Sequence, residues 1–435
     1  MKRILLINPW IYDFAAYDLW MKPWGLLKLS SILKKGGHEL YMADAMDRHA
    51  PEMATFLKEH GDGTGKFFSE EVEKPDVLRD VPRAYKRYGM PDEVFDRVLP
   101  DTDVDIVLVS SGMTYWYPGV FRVIRMARER YDKAVIVLGG VYATLCHDHA
   151  VRHSGADHVI ASQDIRELGS ITGGGEEISF ARILDEDLDY SYYPNTPYAV
   201  LRLSLGCPFD CAYCAQRRLS PPLMRKTASR AFAEIKGLYE KGIRKFAFYD
   251  DALLSDGQHF CEYLDLLEKG GIKADFYTPN GLHARFMTDE IARKMRGAGF
   301  VRPILSLETA DDIKGAGWHE KVTKDELEGA VRYLYDAGYR RGDITVYLML
   351  GVPGSTFSDV EGSIAYINSL GARISLSEFS PVPGTRLAGI SGERINEPLL
   401  QNNSVFPSFA PEEWDKVSRI KEKARMFNRS LDERR

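Results

Sequence analysis

Three cysteines stand close together in the stretch SLGCPFDCAYCAQRRL. Cys207, Cys211 and Cys214 follow the pattern C-x-x-x-C-x-x-C, and the other two cysteines of the chain lie far from them in the sequence. Because five is an odd number and three of the five are bunched, the pattern argues against a disulfide framework. The triplet instead indicates a metal centre with thiolate ligands.

The kind of metal centre follows from the number of ligands. A structural zinc site takes four protein ligands, and no histidine lies within about twenty residues of the triplet. Iron–sulfur clusters are held by cysteine thiolates, ordinarily four for the cubane form. Three thiolates leave one iron without a protein ligand, an open position of the kind that catalytic metals keep. Zinc with a distant fourth ligand is the alternative interpretation.

The triplet follows the first strand of a long α/β run. Predicted strands cover residues 199–206, 245–251, 273–281, 302–309, 344–351 and 373–381. Helical patterns separate them, so the run predicts a partial (β/α)6 barrel over residues 199–390, since a closed barrel of this type needs eight units. Barrel chemistry is built at the carboxyl ends of the strands, which is where the triplet falls.

The first part of the chain predicts a separate doubly wound domain. Strand patterns begin at residues 3, 38, 104, 134 and 155, with helical patterns between them. This alternation predicts a Rossmann-like parallel sheet over residues 1–165. Charged residues 48–103 predict a partly helical insertion, residues 166–198 a linker, and residues 391–435 a C-terminal extension.

Composition narrows the class of protein. The chain has 435 residues, 44% hydrophobic and 28% charged, with a net charge of −6. This acidic balance argues against general nucleic-acid binding. No apolar run approaches the ~18 residues of a membrane span, and the N-terminus lacks a secretory pattern. We expect a cytoplasmic protein with reduced thiols that acts on a small molecule or a peptide, with no membrane partner.

The triplet, with Tyr213 before its third cysteine, resembles the radical S-adenosylmethionine (SAM) superfamily, and the likeness extends over residues 200–390. Membership implies that Cys207, Cys211 and Cys214 hold a [4Fe–4S] cluster whose open iron binds the amino and carboxylate groups of SAM. It also implies cleavage of SAM to a 5′-deoxyadenosyl radical, with electrons from a donor such as flavodoxin or ferredoxin.

Further segments match the family in order. FYDDALL stands where the family holds the SAM amino group, LSLET where it binds the ribose, and YLMLGVPGST where it contacts the adenine. The resemblance implies these SAM contacts: Tyr213, Tyr249, Asp250, Asp251, Glu308, Gly351 and Pro353. No residue is assigned a catalytic role from the sequence.

The first domain resembles the cobalamin-binding domain of the cobalamin-dependent radical SAM group. The likeness implies that Gly139 and Gly140 let the backbone approach a corrin, and that Ser111 and Thr114 bond its amides. The D-x-H-x-x-G motif, which supplies a cobalt ligand in other cobalamin proteins, is absent. Its nearest match, DRHAPE, ends on Glu rather than Gly, so its Asp and His are not expected to bind cobalt.

Three functions follow from these features. The first is a radical SAM enzyme, with cobalamin-dependent methylation of an unactivated carbon as its candidate reaction. The second is a cobalamin-free radical SAM rearrangement, oxidation or cyclisation, in which the first domain serves as a substrate platform. The third is a non-catalytic iron–sulfur protein that transfers electrons or acts as a scaffold.

Overall fold

A computed structural model of the protein describes residues 1–173, 175, 177–311, 318, 322–389, 396–405 and 409–433. The chain forms two compact units. The first comprises Met1–Val200, Arg218–Pro221 and Asn396–Asn402. The second comprises Leu201–Arg217, Pro222–Ile395 and Asn403–Arg435.

The first unit is built on a five-stranded sheet. Its strands are β1 (Arg3–Asn8), β2 (Glu39–Asp44), β3 (Ile106–Val109), β4 (Val135–Leu138) and β5 (His158–Val159). The order across the sheet is β5-β4-β3-β1-β2, with parallel pairing throughout. This is a doubly wound sheet of flavodoxin-like order, whose direction of winding reverses between β1 and β3. The predicted fold of this part of the chain is confirmed.

Burial explains why these segments form strands. The four central residues of β1, Ile4–Ile7, are at most 2% exposed, as expected for a parallel strand covered on both faces. The helices of the unit are Trp24–Lys35, Asp92–Val98, Tyr117–Arg130, Val141–Leu145, His147–His153, Glu167–Thr172 and Phe180–Asp185. The last two fall within residues 166–198, which therefore belong to this unit rather than running free as a linker.

The charged insertion contains the helix Asp92–Val98 and several short antiparallel strands. Strands Ser69–Glu71 and Lys86–Tyr88 form a sheet with Ile11–Asp13, and Lys58–Glu59 pairs with Gly65–Lys66. The glycine-rich segment GDGTG closes the second pair as a turn, in which the His60 amide donates to the Thr64 carbonyl at 2.7 Å. Glycine and aspartate are residues that favour such a turn.

A buried ion pair fastens the insertion to the rest of the unit. The Arg48 guanidinium donates to the Asp18 carboxylate at 2.8 Å, and both side chains are only 2% exposed. Arg48 also donates to the carbonyls of Lys58 and Gly63, and the Tyr198 hydroxyl donates to Asp18. Every charge in this cluster therefore has partners, which is the condition for burying an ion pair.

Among its described residues, the second unit carries seven strand segments that alternate with helices. They are β6 (Tyr198–Leu201), β7 (Lys245–Phe248), β8 (Asp275–Tyr277), β9 (Leu282–His283), β10 (Ile304–Glu308), β11 (Thr345–Leu350) and β12 (Arg373–Glu378), and the division between the units falls within β6. They form sheets of order β6-β7-β8 and β9-β10-β11-β12. Because β8 and β9 fall in one predicted strand, the segments fill the six expected strand positions.

Helices alternate with these strands, and their starts are marked in the sequence. The helices are Gln216–Leu219, Ala228–Glu240, Gly257–Lys269, Asp289–Ala298, Lys324–Asp336, Phe357–Ser369 and the C-terminal Trp414–Asp432. Five begin after a residue whose side chain accepts a bond from the first turn: Thr227, Asp256, Thr288, Thr323 and Thr356. Thr and Asp are favoured there because they satisfy otherwise unpaired amides.

Searched over its described residues, the chain contains no helix that is long and apolar enough to cross a membrane.

The buried ion pair makes a stability prediction. Arg48→Met should lower the free energy of unfolding of the first unit by about 3–5 kcal/mol, because it leaves the buried Asp18 carboxylate without its cation. Urea unfolding followed by circular dichroism measures the change. Arg79→Met is the matched control in the same insertion, since Arg79 and Asp76 are 74% and 87% exposed. That change should stay within about 0.5 kcal/mol, and equal effects of the two substitutions would contradict the account.

Candidate active site

The three cysteines lie in one irregular loop, residues 206–215, which we call the cysteine loop. It follows the short strand Ser204–Leu205 and ends at the helix Gln216–Leu219. Cys211 is buried, Cys207 is half-buried and Cys214 is exposed, and none of the three is part of a disulfide. The loop therefore presents thiols at the position expected from the sequence, after the first strand of the α/β run.

Across the described part of the chain, no three His, Cys, Asp or Glu side chains are arranged to hold a metal ion. The donor chemistry nevertheless fits an iron–sulfur cluster, because three soft thiol ligands share one loop and two of them are accessible.

The middle of the loop is anchored through Ala212. Its amide donates to the Trp318 carbonyl and its carbonyl accepts from the Leu387 amide, each at 3.0 Å. Ala212, Trp318 and Leu387 are buried in an apolar cluster, against which the ring of Tyr213 packs. Tyr213 thus supports the loop, and its predicted contact with SAM stays a prediction.

Asp250 lies just after β7 and binds the strand that leads into the loop. Its carboxylate accepts from the amides of Leu203 and Ser204, at 3.0 and 2.6 Å, and from the Ser204 hydroxyl at 2.6 Å. Asp250 is only 2% exposed. Burial raises the pKa of the Asp250 carboxyl above its ordinary value, and the hydrogen bonds from Ser204 and Leu203 oppose that rise.

Its neighbours make different contacts. The Asp251 carboxylate accepts from Gln216 Nε2 at 2.7 Å and pairs with the Arg202 guanidinium at 3.1 Å. The Tyr249 amide donates to the Leu201 carbonyl at 2.8 Å, which continues the β-sheet past the end of β7. The contact of Gln216 with Asp251 could not be predicted from the sequence, because no local pattern around Gln216 indicates a partner so distant along the chain.

Glu308 ends β10 in a strained conformation. Its φ of 67° lies in the left-handed region, and the strand register shifts between Ser306 and Glu308. Such backbone strain costs of order 1–3 kcal/mol and is often found at functional sites. Burial, followed by the charge of Glu308, raises the pKa of Tyr347 on the neighbouring strand to about 12.

The parallel register places several predicted residues at one edge. Strands β10, β11 and β12 run parallel, so their carboxyl ends share an edge of the sheet. Glu308 ends β10, and Gly351 and Pro353 follow β11. Gly351 has a φ of 82°, which favours glycine there. The proposed roles of these residues in SAM binding are untested predictions.

In the first unit, the residues expected to contact a corrin bind one another. The Ser111 hydroxyl donates to the Gly139 carbonyl at 2.6 Å and accepts from the Ala143 amide at 3.2 Å. Gly140 has a φ of 98°, and a Cβ there would lie 2.4 Å from the Ser111 carbonyl oxygen. Thr114 is 5% exposed. These groups therefore support the ends of β3 and β4 against each other.

A segment from the far end of the chain covers the loop after β3. Residues Asn396–Asn402, which we call the covering segment, belong to the first unit. The Asn402 side chain donates to Asp13 at 2.9 Å, and Trp116 Nε1 donates to the same carboxylate at 2.8 Å. The Tyr117 hydroxyl donates to Glu397. In this arrangement Asp13 and Tyr117 have partners in the covering segment.

Asp47 and His49, the nearest match to a cobalt-binding motif, also have protein partners. Asp47 pairs with Lys22 at 2.8 Å and accepts from the His49 amide. His49 Nε2 lies 2.8 Å from the Glu59 carboxylate, and burial lowers the pKa of His49. This agrees with the expectation that Asp47 and His49 are not a cobalt-binding pair.

Comparison with known proteins shows what this chain is similar to. Residues 201–367 match the model of the Radical SAM superfamily. An uncharacterized methyltransferase of Pyrococcus horikoshii is 23% identical over 334 residues, which are 67% of this chain and 70% of that relative. The hopanoid C-3 methylase of Methylococcus capsulatus is 20% identical over 341 residues, 71% of this chain and 58% of that protein.

Solved structures share the fold. The cobalamin-dependent S-adenosylmethionine radical enzyme OxsB, solved with aqua-cobalamin and S-adenosylmethionine bound, matches with a TM-score of 0.56 at 10% identity. The match covers 85% of this chain and 52% of OxsB, so the chain spans about half the length of that enzyme. The segment that carries the three cysteines therefore matches the Radical SAM superfamily, and the fold of the chain is similar to that of this cobalamin-dependent radical enzyme.

Proposed function

We propose that the cysteine loop holds a [4Fe–4S] cluster and that the enzyme cleaves SAM to remove a hydrogen atom from its substrate. The observation that carries this proposal is the cysteine loop itself: three thiols follow the first strand of a unit whose residues 201–367 match the Radical SAM superfamily. When bound, the cluster and SAM supply a 5′-deoxyadenosyl radical.

The chain's own residues bind and orient these groups. Cys207, Cys211 and Cys214 supply three thiolates and leave one ligand position for SAM. Glu308, at the end of β10, is the proposed acceptor for the ribose hydroxyls, since a carboxylate can accept two such bonds. The cofactor carries the difficult chemistry, while the protein orients it and excludes water.

We further propose that the reaction is methylation of a carbon atom in a small molecule or peptide. The names of the relatives in Pyrococcus horikoshii and Methylococcus capsulatus support methyl transfer. The cluster needs an external electron, so a donor such as flavodoxin or ferredoxin is the proposed protein partner. A cytoplasmic location would keep the cysteine thiols reduced.

The role of the first unit separates two candidate functions. Its fold likeness to OxsB favours a corrinoid as the third cofactor. The covering segment favours a cobalamin-free reaction, with the first unit as a substrate platform. Its residue Asn402 and the nearby Trp116 already donate hydrogen bonds to the Asp13 carboxylate. A corrin at this edge requires the covering segment to leave.

The cluster makes the first prediction of this proposal. Replacing Cys207, Cys211 or Cys214 by Ala should abolish SAM cleavage and lower iron content after anaerobic reconstitution, because each removes a thiolate ligand. Iron and sulfide analysis with detection of 5′-deoxyadenosine measures both. Cys146→Ser and Cys261→Ser are the controls and should keep wild-type iron. Wild-type protein that takes up zinc and no iron would overturn the proposal.

SAM binding provides a second prediction. Glu308→Gln in cluster-loaded protein should weaken SAM binding about tenfold or more, since hydrogen bonds to a charged group contribute about 1.5–3 kcal/mol. Equilibrium dialysis measures the change. Glu378→Gln is the matched control, because Glu378 ends β12, two strands away in the same sheet, and pairs with Lys421. Equal affinity in the Glu308 variant and the control would remove Glu308 from the site.

The covering segment makes a third prediction. Asn402→Ala removes the bond to Asp13 and should raise the affinity for hydroxocobalamin several-fold, because the segment then competes less well for the edge. Equilibrium dialysis against wild-type protein measures the difference. Binding weaker than about millimolar in both proteins would leave the cobalamin-free function.

A further inference from the structure

Two adjacent carboxylates hold the two ends of the cysteine loop. Asp250 binds the entrance through the amides of Leu203 and Ser204 and through the Ser204 hydroxyl. These donors stand three and four residues before Cys207. Because the Asp250 side chain is buried and its oxygens already accept three donors, its carboxylate is engaged with the protein backbone.

The exit of the loop is held by the next residue. Asp251 accepts from Gln216 Nε2 at 2.7 Å, and Gln216 stands two residues after Cys214. Arg202 pairs with the same carboxylate oxygen at 3.1 Å, which balances its charge. The pair after β7 therefore reaches both sides of the cysteine loop.

We propose that Asp250 and Asp251 are positioning residues that clamp the ends of the cysteine loop for cluster binding. The inference rests on the proposed cluster and goes beyond it, because it assigns this acidic pair to the loop rather than to the SAM amino group. Ordering a loop costs conformational entropy. Because the contacts of Asp250 and Asp251 fix both ends of the cysteine loop beforehand, they lower the entropy cost of cluster binding.

Chemistry explains why the entrance needs a carboxylate. A buried amide without an acceptor costs free energy, and the carboxylate of Asp250 satisfies two adjacent amides and a hydroxyl at once. An amide side chain of the same shape replaces one acceptor oxygen by a donor. Asp250→Asn should therefore replace one hydrogen bond at the loop entrance by a repulsion between two N–H donors.

The experiment compares full-length variants reconstituted without oxygen. Asp250→Asn and Gln216→Ala test the entrance and the exit, and Gln216 is half-buried, so its loss should leave the fold intact. Asp256→Asn is the matched control: Asp256 also accepts a backbone amide, that of His259 at 3.1 Å, but at the start of a helix. Two readouts are taken without SAM: the rate of iron release to a chelator and the electron paramagnetic resonance spectrum of the reduced cluster.

The clamp predicts iron release about tenfold faster in Asp250→Asn, as expected from the loss of a charged acceptor. It predicts a smaller increase in Gln216→Ala, altered spectra in both, and wild-type behaviour in Asp256→Asn. Unchanged release and spectra in Asp250→Asn and Gln216→Ala, with weaker SAM binding, would overturn the clamp and return the pair to the SAM amino group. Failure of the wild-type protein to take up iron would instead overturn the proposed cluster, so the two failures are distinguishable.

Discussion

A buried carboxylate must find hydrogen-bond donors, and the site of this protein is arranged around that requirement. Asp250 finds its donors in the backbone at the start of the cysteine loop. Consequently the end of β7 and the strand that leads to Cys207 cannot move independently. Ala212 fixes the middle of the loop through its own amide and carbonyl. The loop is irregular, yet its entrance, middle and exit are all attached to the second unit.

The parallel strands of the second unit determine what else can meet at this edge. Parallel pairing aligns the carboxyl ends, so residues far apart in sequence, such as Glu308 and Gly351, come to one side of the sheet. The strained backbone of Glu308 is consistent with a side chain held for a purpose other than stability. Parallel pairing also aligns the carboxyl ends of the strands in the first unit, but there the covering segment lies over that edge of the sheet.

Most of the strands and helices could be predicted from the sequence, because local residue patterns determine them. Buried apolar runs indicated the strands, and helical patterns between them indicated the helices. Long-range contacts could not be predicted in this way. No local pattern indicates that Asn402 reaches Asp13 or that Gln216 reaches Asp251, since each pair joins distant segments. The insertion was expected to be partly helical, and it contains the helix Asp92–Val98 together with short strand pairs that no local pattern indicated.

The central claim is that three cysteines hold a [4Fe–4S] cluster with one iron left open for SAM. Mössbauer spectroscopy of protein reconstituted with ⁵⁷Fe, recorded before and after addition of SAM, tests it most directly. The account predicts that one iron of each cluster changes its signal when SAM binds, while the others keep theirs. A cluster whose irons are all unaffected by SAM, or a protein that binds zinc instead of iron, would contradict it.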